Sequence, residues 1–153
     1  MLKKTLFLFF LTVTLSYCFS QVPNNDFEQW IFHSQEQLLQ WNIGGLIKAE
    51  TNSNTGNYAL KLEQNPINYG AALVLHGDYI DGIGFIGGVP YNERPDSVKG
   101  FYKCYSPEPE DAAVLLVYFR KDGVSISEDM FILPQTPDTL SFYEFNYEIN
   151  YQN

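Results

Sequence analysis

After Gln21 the polar and apolar positions of this chain alternate with period two, in short runs broken by Asn, Asp, Gly and Pro. Period two places successive side chains on opposite faces of a strand, so the pattern predicts an all-β sandwich or barrel. In the run 58–64, "YALKLEQ", Tyr58, Leu60 and Leu62 oppose Ala59, Lys61 and Glu63. From 97 onward Val98, Gly100, Tyr102 and Cys104 oppose Lys99, Phe101, Lys103 and Tyr105, with the lysine face the wetter. The run 113–123, "AVLLVYFRKDG", is apolar on both faces and closes on Asp122-Gly123, a hairpin signal, so 124–133 returns as its partner. Near the end Tyr143, Phe145, Tyr147, Ile149 and Tyr151 share one face against Glu144, Asn146, Glu148 and Asn150.

Other segments carry weaker patterns. The run 44–50 reads as a strand that leads into "TNSNTGN", whose Asn and Gly residues suit a turn. "GAALVLHGDYI", 70–80, predicts one central strand, and the glycine-dense 81–95 predicts a flexible connection or a bulged strand. Those glycines lack the Gly-Lys-Ser/Thr ending and the following helix of a phosphate loop. One short helix is expected at 34–41, "SQEQLLQW", where Ser34 and Gln37 fit a capping box. The chain stops within a strand-like pattern at "YEINYQN", which predicts a sandwich that is C-terminally incomplete and lacks its last strands.

The first twenty residues do not belong to this domain. Lys3 and Lys4 precede an apolar run from Leu6 to Leu15, and small or neutral residues follow up to Ser20. This is the layout of a secretory signal peptide at 1–20, leaving a β-sandwich domain at 21–153 with no transmembrane segment. The expected location is secreted or outer cell surface. Leu15-Ser16-Tyr17-Cys18 also outlines a lipoprotein signal, although Tyr17 is bulky for the position before an acylated cysteine.

Removal of the leader takes Lys3 and Lys4 with it, moving the formal charge from −9 to −11. So acidic a chain lacks the Lys/Arg excess that neutralises phosphates, which argues against a nucleic-acid partner. Cys104 is then the one cysteine left, so no internal disulfide forms, and its alternating context reads as a small buried apolar residue. His33 and His76 stand in no recognisable relation to it or to a zinc-ligand spacing.

Several stretches in order resemble a known family. "VPNNDFEQW", "QWNIGG", "TGNYALKLE" and "PYNERPDSVKGFYKCYSPEPEDAAVLLVYFRKDG" are similar to secreted Bacteroidetes proteins related to a carbohydrate metabolism domain. The resemblance covers most of the mature chain. It implies a jelly-roll, galactose-binding-like β-sandwich, often joined to a type IX secretion sorting domain. It further implies a glycan partner and a final strand bearing acidic residues that this chain lacks.

Candidate chemistry follows from residue type. Jelly rolls of this kind can hold structural calcium through oxygen ligands, for which Asn25, Asp26 and Glu28 are available. The alternative use of Asn25 and Asp26 is to cap a turn. Sugar recognition needs flat apolar rings and a few fixed polar groups, offered by Trp41, Tyr69, Tyr91, Arg94, Tyr102 and Tyr118. Tyr91 and Arg94 stand outside the strand pattern and, with Tyr102, form the expected ligand site. Arg94 ahead of Pro95 has a structural alternative, pinning its loop by pairing with a carboxylate or carbonyls. Glu93, Glu108, Glu110 and Asp111 occupy charged turn-like segments, so a glycosidase pair is a weaker reading than a non-catalytic module. The expected function is glycan binding or adhesion, with a structural or assembly role as the alternative.

Overall fold

A computed structural model describes residues 22–32, 36–64 and 72–152. The leader, Ser34 and Tyr69 lie outside the described residues. All regular structure within them is β, in six antiparallel two-stranded ladders. β1 (Trp30–Phe32) pairs with β2 (Glu36–Leu38), β3 (Asn42–Gly44) with β6 (Leu73–Leu75), and β4 (Leu46–Glu50) with β5 (Ala59–Glu63). β7 (Asp78–Ile80) pairs with β8 (Gly84–Ile86), β9 (Ser97–Tyr102) with β12 (Tyr143–Glu148), and β10 (Ala113–Lys121) with β11 (Val124–Leu133). The all-β class expected from the alternation is therefore the one observed.

The C-terminal half builds a layered unit. Asp122 and Gly123 both take positive φ, 52° and 80°, as the tight turn between β10 and β11 requires. The inward side of that hairpin meets the aromatic side of β12. There the Phe131 and Tyr147 rings lie 4.6 Å apart and 3° from parallel, and the Tyr147 hydroxyl donates to Ile132 O. Phe145 continues the row, stacked on Tyr147 and edge-on to Tyr102.

Gly100 faces Phe145 across the β9–β12 ladder, and a Cβ built there would stand 2.8 Å from two ring carbons. Because that ring is held between Tyr102 and Tyr147, it cannot simply turn aside. Gly100→Ala should lower the unfolding free energy by about 1–2 kcal/mol, the cost of overpacking a fitted site. Urea unfolding checks this, since alanine at an unconstrained strand position would instead raise the midpoint.

Two local expectations are corrected. The helix expected at 34–41 is absent from its described part: Glu36–Leu38 is a strand, and Gln40 has φ 68°. Eight residues give too few helical hydrogen bonds to offset nucleation, whereas the hairpin buries Leu38 to 3% exposure. Likewise the single strand expected over 70–80 is split into β6 and β7 at Gly77, which has φ 116°. A Cβ on Gly77 would meet Ile86 O at 2.3 Å, so the close approach of 86–88 requires glycine and breaks the run.

Buried apolar side chains are few among the described residues, Leu38 and Ile149, while Asn24, Ser127 and Asp129 are buried polar ones. Polar knots thus complement half-buried aromatic contacts in holding the loops to the ladders. β4 and β5 show the surface version: Lys48 and Lys61 face each other in register, and Glu63 binds both ammonium groups at 2.8 Å. Hydrogen bonds from Lys48 and then Lys61 hold the Glu63 carboxyl down at about 2.

Candidate functional site

The expected ligand residues separate into two places. Tyr91 and Arg94 lie in the irregular segment between β8 and β9 and share a cleft of about 380 Å³. Phe119 and Lys121 enter it from β10, Ile126 from β11, and Tyr151 from the segment after β12. Tyr102 is elsewhere, on β9, with its ring packed edge-on to Phe145 and its hydroxyl pKa raised first by burial. It belongs to the β9–β12 packing.

An irregularity in the β10–β11 ladder shapes the cleft. Phe119 pairs with Ser127 and Arg120 with Ser125, so Ile126 is an extra residue on β11. Such a bulge bends its strand and leaves a backbone group free of the ladder. Ile126 O uses this freedom to accept the Gln152 N–H at 2.8 Å.

That bond is one of several that bring the chain's last described residues back across the hairpin as a strap. Ile149 N–H donates to Asp96 O at 2.9 Å, and the Tyr151 hydroxyl donates to Pro95 O at 3.1 Å. Asp129 anchors the strap from β11. Its carboxylate accepts from the Ser127 hydroxyl, from Asn150 N–H at 3.1 Å and from Asn150 Nδ2 at 2.9 Å. These donors, Ser127 first, hold the Asp129 pKa below its ordinary value.

The strap delivers an aromatic wall. Phe119 lies 5.6 Å from Tyr91 and 5.7 Å from Tyr151, centroid to centroid. Arg94 sets its guanidinium carbon 4.1 Å over the Tyr151 ring. This cation–π contact, a modest one at an exposed site, is a different interaction from the carboxylate or carbonyl pairing weighed for Arg94. Phe119 and Tyr151 were not singled out in sequence. Their alternation was visible, but only the bulge and the strap bring them to Tyr91.

A larger hollow of about 540 Å³ lies between β2 and β4 and includes Trp41. Its chemistry is more fully used. Trp41 Nε1 donates to Asn24 O at 3.1 Å, and the indole contacts Phe27 and, at 3.8 Å, His76. His76 Nε2 is 3.2 Å from Pro23 O, and burial is the first cause of its lowered pKa. Glu36, also lining the hollow, accepts from Ala49 N–H. Tyr118, on the outward side of β10, is 42% exposed and 6.3 Å from Phe85.

The proposed calcium residues have other employment. Glu28 Oε1 accepts from Asn57 N–H at 2.7 Å and Tyr58 N–H at 2.8 Å, while Oε2 accepts from Asn57 Nδ2 at 3.0 Å. The Tyr58 bond is the leading cause of its lowered pKa. Asn25 and Asp26 are exposed, and Asp26 Oδ1 accepts from Glu28 N–H at 3.4 Å. Among the described residues no group of three or more His, Cys, Asp or Glu side chains is placed to hold a metal. Both Glu28 oxygens thus accept N–H donors of the 57–58 turn, the arrangement of a turn clamp. Chelation with EDTA should therefore leave the melting temperature unchanged. A fall reversed specifically by calcium would overturn the assignment.

No protein-family model matches the chain, and no curated protein or solved structure matches it significantly. The clamp joins two stretches 29 and 30 positions apart, since Glu28 closes on the turn at Asn57 and Tyr58 ahead of β5. Gly56 is part of the fit: a Cβ there would come 2.3 Å from Glu28 Oε1.

The remaining carboxylates show local turn roles. Asp111 accepts from the Ser106 hydroxyl, and its own N–H donates to Glu108 O at 3.1 Å. Glu93 lines the Tyr91 cleft as a single acidic group beside cations. Among the described residues no helix is long and apolar enough to cross a membrane.

Proposed function

We propose that the chain is a secreted or surface-held, non-catalytic β-sandwich module that binds glycan through the Tyr91 and Arg94 cleft. The observation that carries this reading is the convergence of Tyr91, Phe119 and Tyr151 beside Arg94 in a cleft of about 380 Å³. Sugar rings present flat C–H faces to aromatics and hydroxyls to fixed polar groups, and this volume suits a small ligand. The apolar leader supports export, and the resemblance supports the Bacteroidetes-type, jelly-roll and type IX surface setting.

A glycan array followed by solution titration tests the reading. Tyr91→Ala should reduce binding at least tenfold while the folded β signal in circular dichroism persists. Tyr102→Ala, remote from the cleft, should alter stability and leave affinity unchanged. Retained binding in Tyr91→Ala would exclude this cleft.

A structural or assembly role without a small ligand is favoured by a different observation. On the outward side of the β10–β11 hairpin, Val114 pairs with Ile132 and Leu116 with Met130, and all four are exposed. Exposed contiguous apolar surface of this kind favours association. Concentration-dependent self-association lost in Met130→Glu, together with no glycan binding, would favour that role over the first.

A further inference from the structure

We infer that the ligand of the Tyr91 cleft is an anionic glycan, a pyranose chain carrying carboxylate or sulfate groups. This rests on the glycan-binding reading and specifies its ligand class. The protein is acidic, with a formal charge of −9, yet Arg94, Arg120 and Lys121 all line this one cleft against the single carboxylate of Glu93. On β4 and β5, by comparison, Lys48 and Lys61 share the carboxylate of Glu63. Among the described residues neither Arg94 nor Lys121 is in an ion pair.

The three cations are differently placed for the task. Arg94 rests its guanidinium carbon 4.1 Å over the face of Tyr151, and a guanidinium is the side chain suited to a forked contact with carboxylate or sulfate. Arg120 already donates through Nη2 to Phe85 O at 3.1 Å, so it holds the β8 segment against β10 and adds background positive charge. Lys121, at the end of β10, supplies an exposed point charge beside the bulge. Asp96 and Asp129 also act on Tyr151, so the excess is confined to the lining itself, three cations to one carboxylate, and this local excess favours an anion here.

Titration calorimetry with trigalacturonate, neutral galactotriose and a sulfated galactan oligosaccharide tests the inference on the intact mature chain. At least one of the anionic oligosaccharides should bind at least tenfold more tightly than galactotriose, with affinity falling as salt screens the charges. Whether trigalacturonate or the sulfated chain binds better identifies the anionic group. Lys121→Gln and Arg94→Gln should each weaken anionic binding about tenfold, the usual scale of a charge-assisted contact. Arg94→Lys should recover part of the loss, and Lys121→Gln, at an exposed position, should leave stability unchanged.

Equal or tighter binding of galactotriose would overturn the anionic class while leaving glycan binding intact. Anionic binding indifferent to both glutamine variants would overturn the location. If no glycan binds, the functional reading itself fails, and this inference fails with it.

Discussion

Asn24→Asp is expected to reduce the unfolding free energy by about 3 kcal/mol, read as a lower urea midpoint and earlier exposure of Trp41. Asn24 is 6% exposed and has φ 49°, a left-handed backbone that asparagine and aspartate both tolerate. Its Nδ2 donates to Gln29 O at 3.1 Å and Leu39 O at 2.9 Å, and its Oδ1 accepts from Gln29 N–H at 2.9 Å. Asn24 O meanwhile accepts from Phe27 N–H and Trp41 Nε1. One residue thus joins the N-terminal turn, the β1–β2 hairpin and the Trp41 ring cluster. Aspartate preserves shape and the Gln29 N–H bond, but turns the donor to two carbonyls into a charged acceptor. Gln29 O keeps the Leu39 N–H at 3.0 Å, so the cost comes from the lost donor at Leu39 O and from a charge placed on a residue 6% exposed, about 3 kcal/mol together. An aspartate variant as stable as the parent would show that water replaces Nδ2 and that the knot is not structural.

Asp129→Ala should cost about 2–4 kcal/mol and detach the strap, because Ser127 and the two Asn150 donors lose their shared acceptor at a site 7% exposed. With Asn150 released, Tyr151 is no longer held between Phe119 and Arg94, so glycan affinity should fall together with stability. The same contact gives an acid dependence. The Asp129 pKa is held below 3.8, so its contribution is complete above that value and is lost as pH falls through the depressed folded value. Glu63, lowered from 4.5 to about 2, acts in the same direction over that interval. Acid unfolding should therefore begin at higher pH in Asp129→Ala than in the parent. An unchanged acid midpoint and unchanged ligand affinity would show that the Ile149, Tyr151 and Gln152 bonds hold the strap without Asp129.

Local order in the C-terminal half was legible because it has local causes. The alternation of 97–102 and 143–148, and Asp122-Gly123 between two strand runs, appear as β9, β12 and the β10–β11 hairpin. The failures occurred where a distant group decides the conformation. Gly77 breaks a continuous apolar run because Ile86 O approaches it, and 36–38 becomes a strand by pairing with 30–32. Asn24 carries no local signal of its role, since its partners Leu39 and Trp41 lie 15 and 17 positions away.

The candidate site divides along the same line. Tyr91 and Arg94 were visible as residues outside the strand pattern, and they do share a cleft. Tyr102 had the right chemistry but an inward strand position, where Phe145 covers it. Tyr151 was visible as part of an alternating face, yet its use depends on a strap fixed through Asp129 and the Ile126 bulge. Residue type located the aromatic and cationic parts, while their assembly needed three-dimensional register.

Hydrogen–deuterium exchange with and without a saturating bound glycan tests most directly that these parts form one binding site. The expected result is added protection of amides at Asn92 to Arg94, at Lys121 and Ile126, and at Tyr151 and Gln152. Protection confined instead to the Trp41 hollow or to the outward face of β10–β11 would contradict the assignment.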